Sequence, residues 1–260
     1  MKKDHVKRIS VASMLKRREV LGFIGGTAAV SLVGCLRKLS ASAEPTGMSI
    51  QTPTRMALAT TPSCVVKPQQ TEGPYFVDEK LNRSDIRSDP SDGSVKRGVP
   101  LRLMFHVSRI NGGSCTPLTG ATVDLWHCDA LGVYSDVTDR SFNTVGKKFL
   151  RGYQVTDANG TVKFVTIYPG WYPGRTVHIH FKIRIGSASQ QSYEFTSQLY
   201  FNDSLTDQIH AQAPYAAKGQ RTLKNDGDGI FRGGGQQLML QLTKDAIGYV
   251  GTFNIGLQIT

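Results

Sequence analysis

The sequence contains no Cys-x-x-Cys pair, no Gly-x-Ser-x-Gly elbow, no glycine-rich phosphate loop and no internal repeat. Those absences remove thioredoxin-like redox chemistry, serine α/β-hydrolases, P-loop nucleotide chemistry and repeat architectures. Cysteine is scarce, four in 260 residues, so a disulfide-stapled miniprotein is excluded. A chain of this length can bury a core of its own. Acid is also short, with 20 Asp plus Glu against 31 Lys plus Arg and a formal net charge of +11. That balance invites a nucleic-acid or anionic-membrane partner until the charge is located. Residues 1–43 hold nine bases and two acids, which leaves only +4 for residues 44–260. Nucleic acid is therefore not an expected partner.

No apolar run reaches the roughly 20 strongly hydrophobic residues that a membrane-spanning helix needs. The uncharged stretch Val20–Leu36 is shorter and loosened by Gly22, Gly25, Gly26 and Gly34. A basic region precedes it and small residues follow, which is the grammar of an export signal. Lys16-Arg17-Arg18-Glu19-Val20-Leu21 resembles the twin-arginine signal, a route that carries folded proteins, often with a cofactor already inserted. Ala41-Ser42-Ala43 offers a cleavage site, whereas Leu32-Val33-Gly34-Cys35 resembles a lipobox that would leave a lipid anchor on Cys35. Residues 1–43 are thus expected to be a signal, 44–63 a flexible Pro/Thr/Ser-rich leader and 64–260 one domain. The product would be periplasmic, secreted or lipid-anchored. Export makes a disulfide possible among Cys64, Cys115 and Cys128; three cannot all pair, and the choice stays open.

Residues 100–108 and 121–127 alternate apolar and polar, as half-buried strands do. Segments 149–156 and 161–168, joined by Asp157-Ala158-Asn159-Gly160, read as a hairpin. Further strands are expected at 176–185, 195–201, 236–243 and 249–259, with one short helical run after Thr206, broken at Pro214. Many short strands with Gly-rich turns predict an all-β, single-domain β-sandwich of transthyretin/immunoglobulin-like type with few short helices.

The most informative segment is PGWYPGRTVHIHFKI, residues 169–183. On a strand, positions i and i+2 share a face, so His178 and His180 present both imidazoles to one spot. That arrangement suits a metal, although an imidazole on a strand also commonly bonds a carbonyl. Tyr172 lies six residues before His178 at a Pro/Gly turn, and Tyr134 lies in Gly132-Val133-Tyr134-Ser135 after the strand ending Trp126-His127. His106 and His127 are expected to be structural.

Taken together with TEGPYF (71–76), RSDIR (83–87), PLTGATVDLWHCDALGVYS (117–135), TSQLYF (196–201) and NDGDGIF (225–231), these residues resemble the intradiol ring-cleavage dioxygenases, in their secreted, single-domain branch. The resemblance implies one non-haem Fe(III) ion held by Tyr134, Tyr172, His178 and His180, with Tyr172 the ligand displaced by substrate. It implies a catechol-type substrate cleaved with O2 to a cis,cis-muconate-type product. It also makes Arg175 the active-site arginine, gives Gln198 a place beside the substrate, and has Pro74, Tyr75 and Trp171 wall the pocket. Only five residues separate Tyr172 from His178, fewer than in the cytoplasmic enzymes, so their substrate-selecting residues do not transfer. The mature chain lacks the N-terminal helical segment through which catechol dioxygenases dimerise, and a monomer is expected. The competing reading of the β-strand pattern is an exported, metal-free adhesion or carbohydrate-binding module.

Overall fold

In the computed structural model, the described residues are 65–112, 114–186 and 193–259. The expected signal, Cys35, the leader and Cys64 lie outside them. Nine strands, β1 (Pro100–Asn111), β2 (Ser114–Pro117), β3 (Thr122–Trp126), β4 (Arg151–Val155), β5 (Thr161–Ile167), β6 (His178–Ile185), β7 (Tyr193–Tyr200), β8 (Leu242–Lys244) and β9 (Tyr249–Gln258), form two sheets. One runs β2-β1-β9-β8 with β5 also on β1, and the other runs β4-β3-β6-β7. This is the expected all-β sandwich.

The alternating apolar residues of β1 explain how the layers meet. Leu101, Leu103, Phe105 and Val107 are all buried, and they face Val123, Leu125, Ile179, Phe181 and Ile183 of the second sheet in one core. Phe181 bridges the layers, with ring centroids 5.4 Å from both Phe105 and Phe253. Helix α1 (Asp203–His210) starts where the Asn202 side chain accepts from the Leu205 N–H, a standard N-cap. No helix among the described residues is long and apolar enough to cross a membrane.

Two expectations are corrected. The 149–156 and 161–168 segments do not form a hairpin: β4 pairs with β3, while β5 pairs with β1 in the opposite sheet. The Asp157–Gly160 turn is present, its Asp157 carboxylate accepting from Asn159 and Thr161, but it carries the chain between layers. Gly160 fits there because its φ is +69° and a Cβ would lie 2.2 Å from the Val107 carbonyl oxygen. A turn of this chemistry closes either a hairpin or an arch, and the free edge of β1 decides. The expected strand 236–243 is instead a 3-10 turn over Gly235–Leu238 followed by the short β8. Its buried Leu238 and the Leu240 N–H, which donates to the Tyr200 carbonyl, anchor it to the end of β7. Cys115 is disulfide-bonded and Cys128 is a buried free thiol, which eliminates a bridge between those two.

Candidate metal centre

The second sheet carries the site on its outer face. Strand pairing sets Arg151, Trp126, His180 and Gln198 in one row across β4, β3, β6 and β7. His178 lies one step along, opposite Tyr200. The indole of Trp126 stacks on His180 at 5.0 Å with planes 5° apart. His178 Nδ1 is 2.6 Å from the Thr176 carbonyl, a contact that needs its proton on Nδ1. Nε2 therefore keeps its lone pair and turns it inward, 3.0 Å from His180 Nε2 and 3.2 Å from the Tyr172 hydroxyl.

Tyr134 comes from the segment after β3, its ring 5.7 Å from that of Tyr172. Arg151, buried on β4, fixes this segment by donating to the Ser135 carbonyl and hydroxyl and to the Tyr75 carbonyl. Tyr75 stacks on Tyr134 at 4.4 Å and donates from its own hydroxyl to Asp139 at 2.8 Å. Burial, followed by that bond, pushes the Tyr75 phenol up to about 12. Gly73 backs directly onto the cluster: at φ +73°, a Cβ there would be 3.3 Å from His180 Cε1.

The electrostatics leave this group of donors unsatisfied. Burial, and then the neighbouring Arg175 charge, pull His178 down to about 3; burial and His178 pull His180 well below the ordinary imidazole value. Both rings are neutral lone-pair donors at neutral pH. Burial raises the Tyr134 and Tyr172 phenols, so without a nearby cation both stay protonated. Among the described residues neither the buried Tyr134 hydroxyl nor His180 Nδ1 has a well-formed hydrogen bond, at a cost of about 1–3 kcal/mol for each such group; the Tyr134 hydroxyl interacts with that of Tyr172 across the cluster. Two imidazoles and two phenols converging in this way fit a metal ion, which consumes the lone pairs and acidifies the phenols. Among the described residues no three His, Cys, Asp or Glu side chains come together to hold a metal; here half of the donors are tyrosines.

Arg175 stands beside the cluster with Nη1 3.5 Å from His178 Nε2. Gln198 Oε1 accepts from Arg175 Nη2 at 2.6 Å, and its Nε2 donates to the Thr71 carbonyl at 2.8 Å. Its amide thus contacts Arg175 and the 68–76 segment that crosses the site. Pro74 is exposed at the turn before Tyr75. The Trp171 indole donates to the Gly219 carbonyl at 3.2 Å and belongs to the main hydrophobic core. A cavity of about 510 Å³ between α1 and residues 216–224, lined by His210 and Arg221, contains none of the four donors. Sequence reasoning assigned no role to Arg151 or Asp228; the only signal for the latter was its place in NDGDGIF.

Residues 71–226 match the family model described as Dioxygenase. A solved intradiol ring-cleavage dioxygenase from Tetranychus urticae superposes with a TM-score of 0.64 at 32% identity, covering 75% of this chain and 95% of that one. The chain belongs to the intradiol dioxygenase family. The dioxygenase domain of a dioxygenase carbohydrate-binding protein fusion from Streptomyces sp. SirexAA-E is also similar, at 30% identity, TM-score 0.52, and 75% and 100% coverage. The protocatechuate 3,4-dioxygenase beta chain of Burkholderia cepacia is 31% identical over 157 residues, 56% of this chain and 65% of that protein. The alignment thus spans less than two thirds of this curated relative. Membership in a dioxygenase family favours the enzyme over the adhesion or carbohydrate-binding module.

Proposed function

We propose that this intradiol dioxygenase holds one non-haem Fe(III) ion through Tyr134, Tyr172, His178 and His180, and cleaves a catechol-type ring with O2 to a cis,cis-muconate-type product. The observation carrying this reading is the convergence of two neutral imidazole lone pairs and two phenols on one buried spot. Phenolates are hard, anionic donors that favour a ferric over a softer divalent ion. Two tyrosinate charges also offset most of the ferric charge in a site closed to water.

A ferric ion held by these four residues would supply a Lewis acid for the two oxygens of a catechol. The surrounding residues do the rest. Tyr172 is half-buried beside Arg175, whereas Tyr134 is fully buried under Tyr75. Tyr172 Oη, once ionised beside a bound cation, would therefore be the oxygen placed to take up one of the two catechol protons. Arg175 Nη1 sets a fixed positive charge against the substrate ring, where negative charge develops as the ring is attacked. Trp126, Tyr75 and Gly73 exclude water from the opposite side. The test is oxygen uptake: one O2 consumed per catechol with a muconate-type product is expected, and extradiol products or no uptake by iron-loaded protein contradict it.

We also propose that the chain leaves the cytoplasm by the twin-arginine route as a monomer, with 1–43 as signal and 44–63 as leader, ending free or lipid-anchored at Cys35. Replacing Arg17 and Arg18 by Lys should trap the precursor inside, and undiminished export refutes that assignment.

A further inference from the structure

We propose that Asp228, 53 residues away in sequence, is the positioning residue that aims Arg175 at the reacting ring. The inference rests on the catechol reading of the site above. Asp228 is 1% exposed, and both of its oxygens are committed. Oδ1 caps the short helix α2 (Gly229–Arg232) by accepting from Ile230 N at 2.7 Å and Phe231 N at 3.1 Å. Oδ2 accepts from Arg175 Nε at 2.9 Å and Thr176 N at 2.8 Å. One carboxylate thus joins a remote helix start to the segment that carries Arg175 and leads into His178.

Arginine has three nitrogens to place. Nε is held by Asp228 and Nη2 by Gln198, so the guanidinium plane is fixed at two points, and Nη1, 3.5 Å from His178 Nε2, is the one facing the donor cluster. The anchor is needed because Arg175 follows the exposed Pro173 and Gly174. An unheld arginine there would keep the rotamer freedom of its long side chain and sample many orientations away from the cluster. Thr176 is held a second time, its hydroxyl donating to Asn225 Oδ1 at 2.7 Å. The 225–228 segment is therefore a template for the Arg175–Thr176 pair, and Gln198 is the second clamp.

Asp228→Asn separates the two tasks of the carboxylate. Its amide oxygen can still cap α2, while its NH2 faces two N–H donors where Oδ2 stood. Asp228→Ser also preserves a cap and lacks the second oxygen, and it serves if the Asn variant does not fold. Either variant should keep iron content and the visible iron band while kcat drops about 10–100-fold, the range for lost supporting contacts, with KM little changed. In an Arg175→Ala background the same substitution should add nothing. Millimolar guanidinium should restore part of the activity of Arg175→Ala and none in the Arg175→Ala/Asp228→Asn double variant. In metal-free protein, the Arg175 Nε–H should exchange slowly by 15N NMR and become fast in Asp228→Asn. Wild-type turnover in the Asp228 variants, additive losses with Arg175→Ala, or unchanged Nε–H exchange would overturn the proposal. A wild-type protein without ring cleavage overturns the catechol reading instead, and the exchange measurement still decides whether Asp228 holds Arg175.

Discussion

Strands β1 and β6 are interior strands of their sheets, yet they are buried in different ways. Along β1, fully buried residues alternate with partly exposed ones; along β6, six successive residues from His178 to Ile183 are buried on both faces. The inner faces are alike, both apolar and both part of one core. The outer face of β6 differs: it carries His178, His180 and Lys182 beneath the 68–76 segment and the segments bearing Tyr134 and Tyr172. Lys182 rests over the Phe76 ring at 4.2 Å and pairs with Glu72, which ties that covering segment to the strand. Burying polar groups is unfavourable unless they find partners, and the donors gathered on this second buried face fit the metal ion proposed above. One strand thus serves stability with Ile179, Phe181 and Ile183 and chemistry with the residues between them.

That division can be broken from either side. On the outer face, His180→Ala or Tyr134→Phe should lower iron affinity by more than roughly 100-fold, since even supporting residues cost 10–100-fold; metal analysis checks this, with the fold retained by circular dichroism. On the inner face, Phe181→Ala should cost about 3–5 kcal/mol of stability by denaturant unfolding, while the folded fraction keeps its iron. If Phe181→Ala abolished iron binding in folded protein, or His180→Ala unfolded the sandwich, the two faces would not be separable. Arg151→Met should act between these extremes. It frees Ser135 and Tyr75 and should weaken iron binding about 10–100-fold without moving β4.

A smaller effect belongs to His127, which is fully buried and not among the four donors. Burial holds its imidazole down at about 4, with Nδ1 donating to the Cys128 carbonyl at 2.8 Å and Nε2 2.6 Å from the Thr166 hydroxyl. Because the folded value is depressed, the unfolded chain binds the proton first as pH falls below 6.5. Stability present above 6.5 is therefore lost on the way down to about pH 4, at about 1.4 kcal/mol per pH unit. His127→Gln should reduce the acid-side slope by that amount. Lys147→Ala, which removes an exposed pair with Asp92, should leave the unfolding midpoint essentially where it is, because solvent and salt screen such a pair.

The β-sandwich and the HIH pair were legible because strand periodicity is local: two residues apart is one face, whatever lies across the sheet. Tyr134 and Tyr172 were legible through their turn motifs and the resemblance those motifs carry. What stayed hidden was set by partners distant in the chain. Asp157–Gly160 has the same chemistry whether β5 returns along β4 or crosses to β1. Asp228 is 53 residues from Arg175, and Arg151 reaches Tyr75 across 76. Gln198 was expected beside the substrate, and its amide is engaged with Arg175 and Thr71. Such pairings depend on which strands become neighbours, information that no single segment contains.

The most direct test is the visible spectrum of the purified protein together with its metal content. Tyrosinate ligands to ferric iron absorb in the visible by charge transfer, so one iron per chain and a burgundy colour that bleaches in Tyr134→Phe are expected. A colourless protein containing zinc or no metal, after expression with iron available, would contradict the proposed centre.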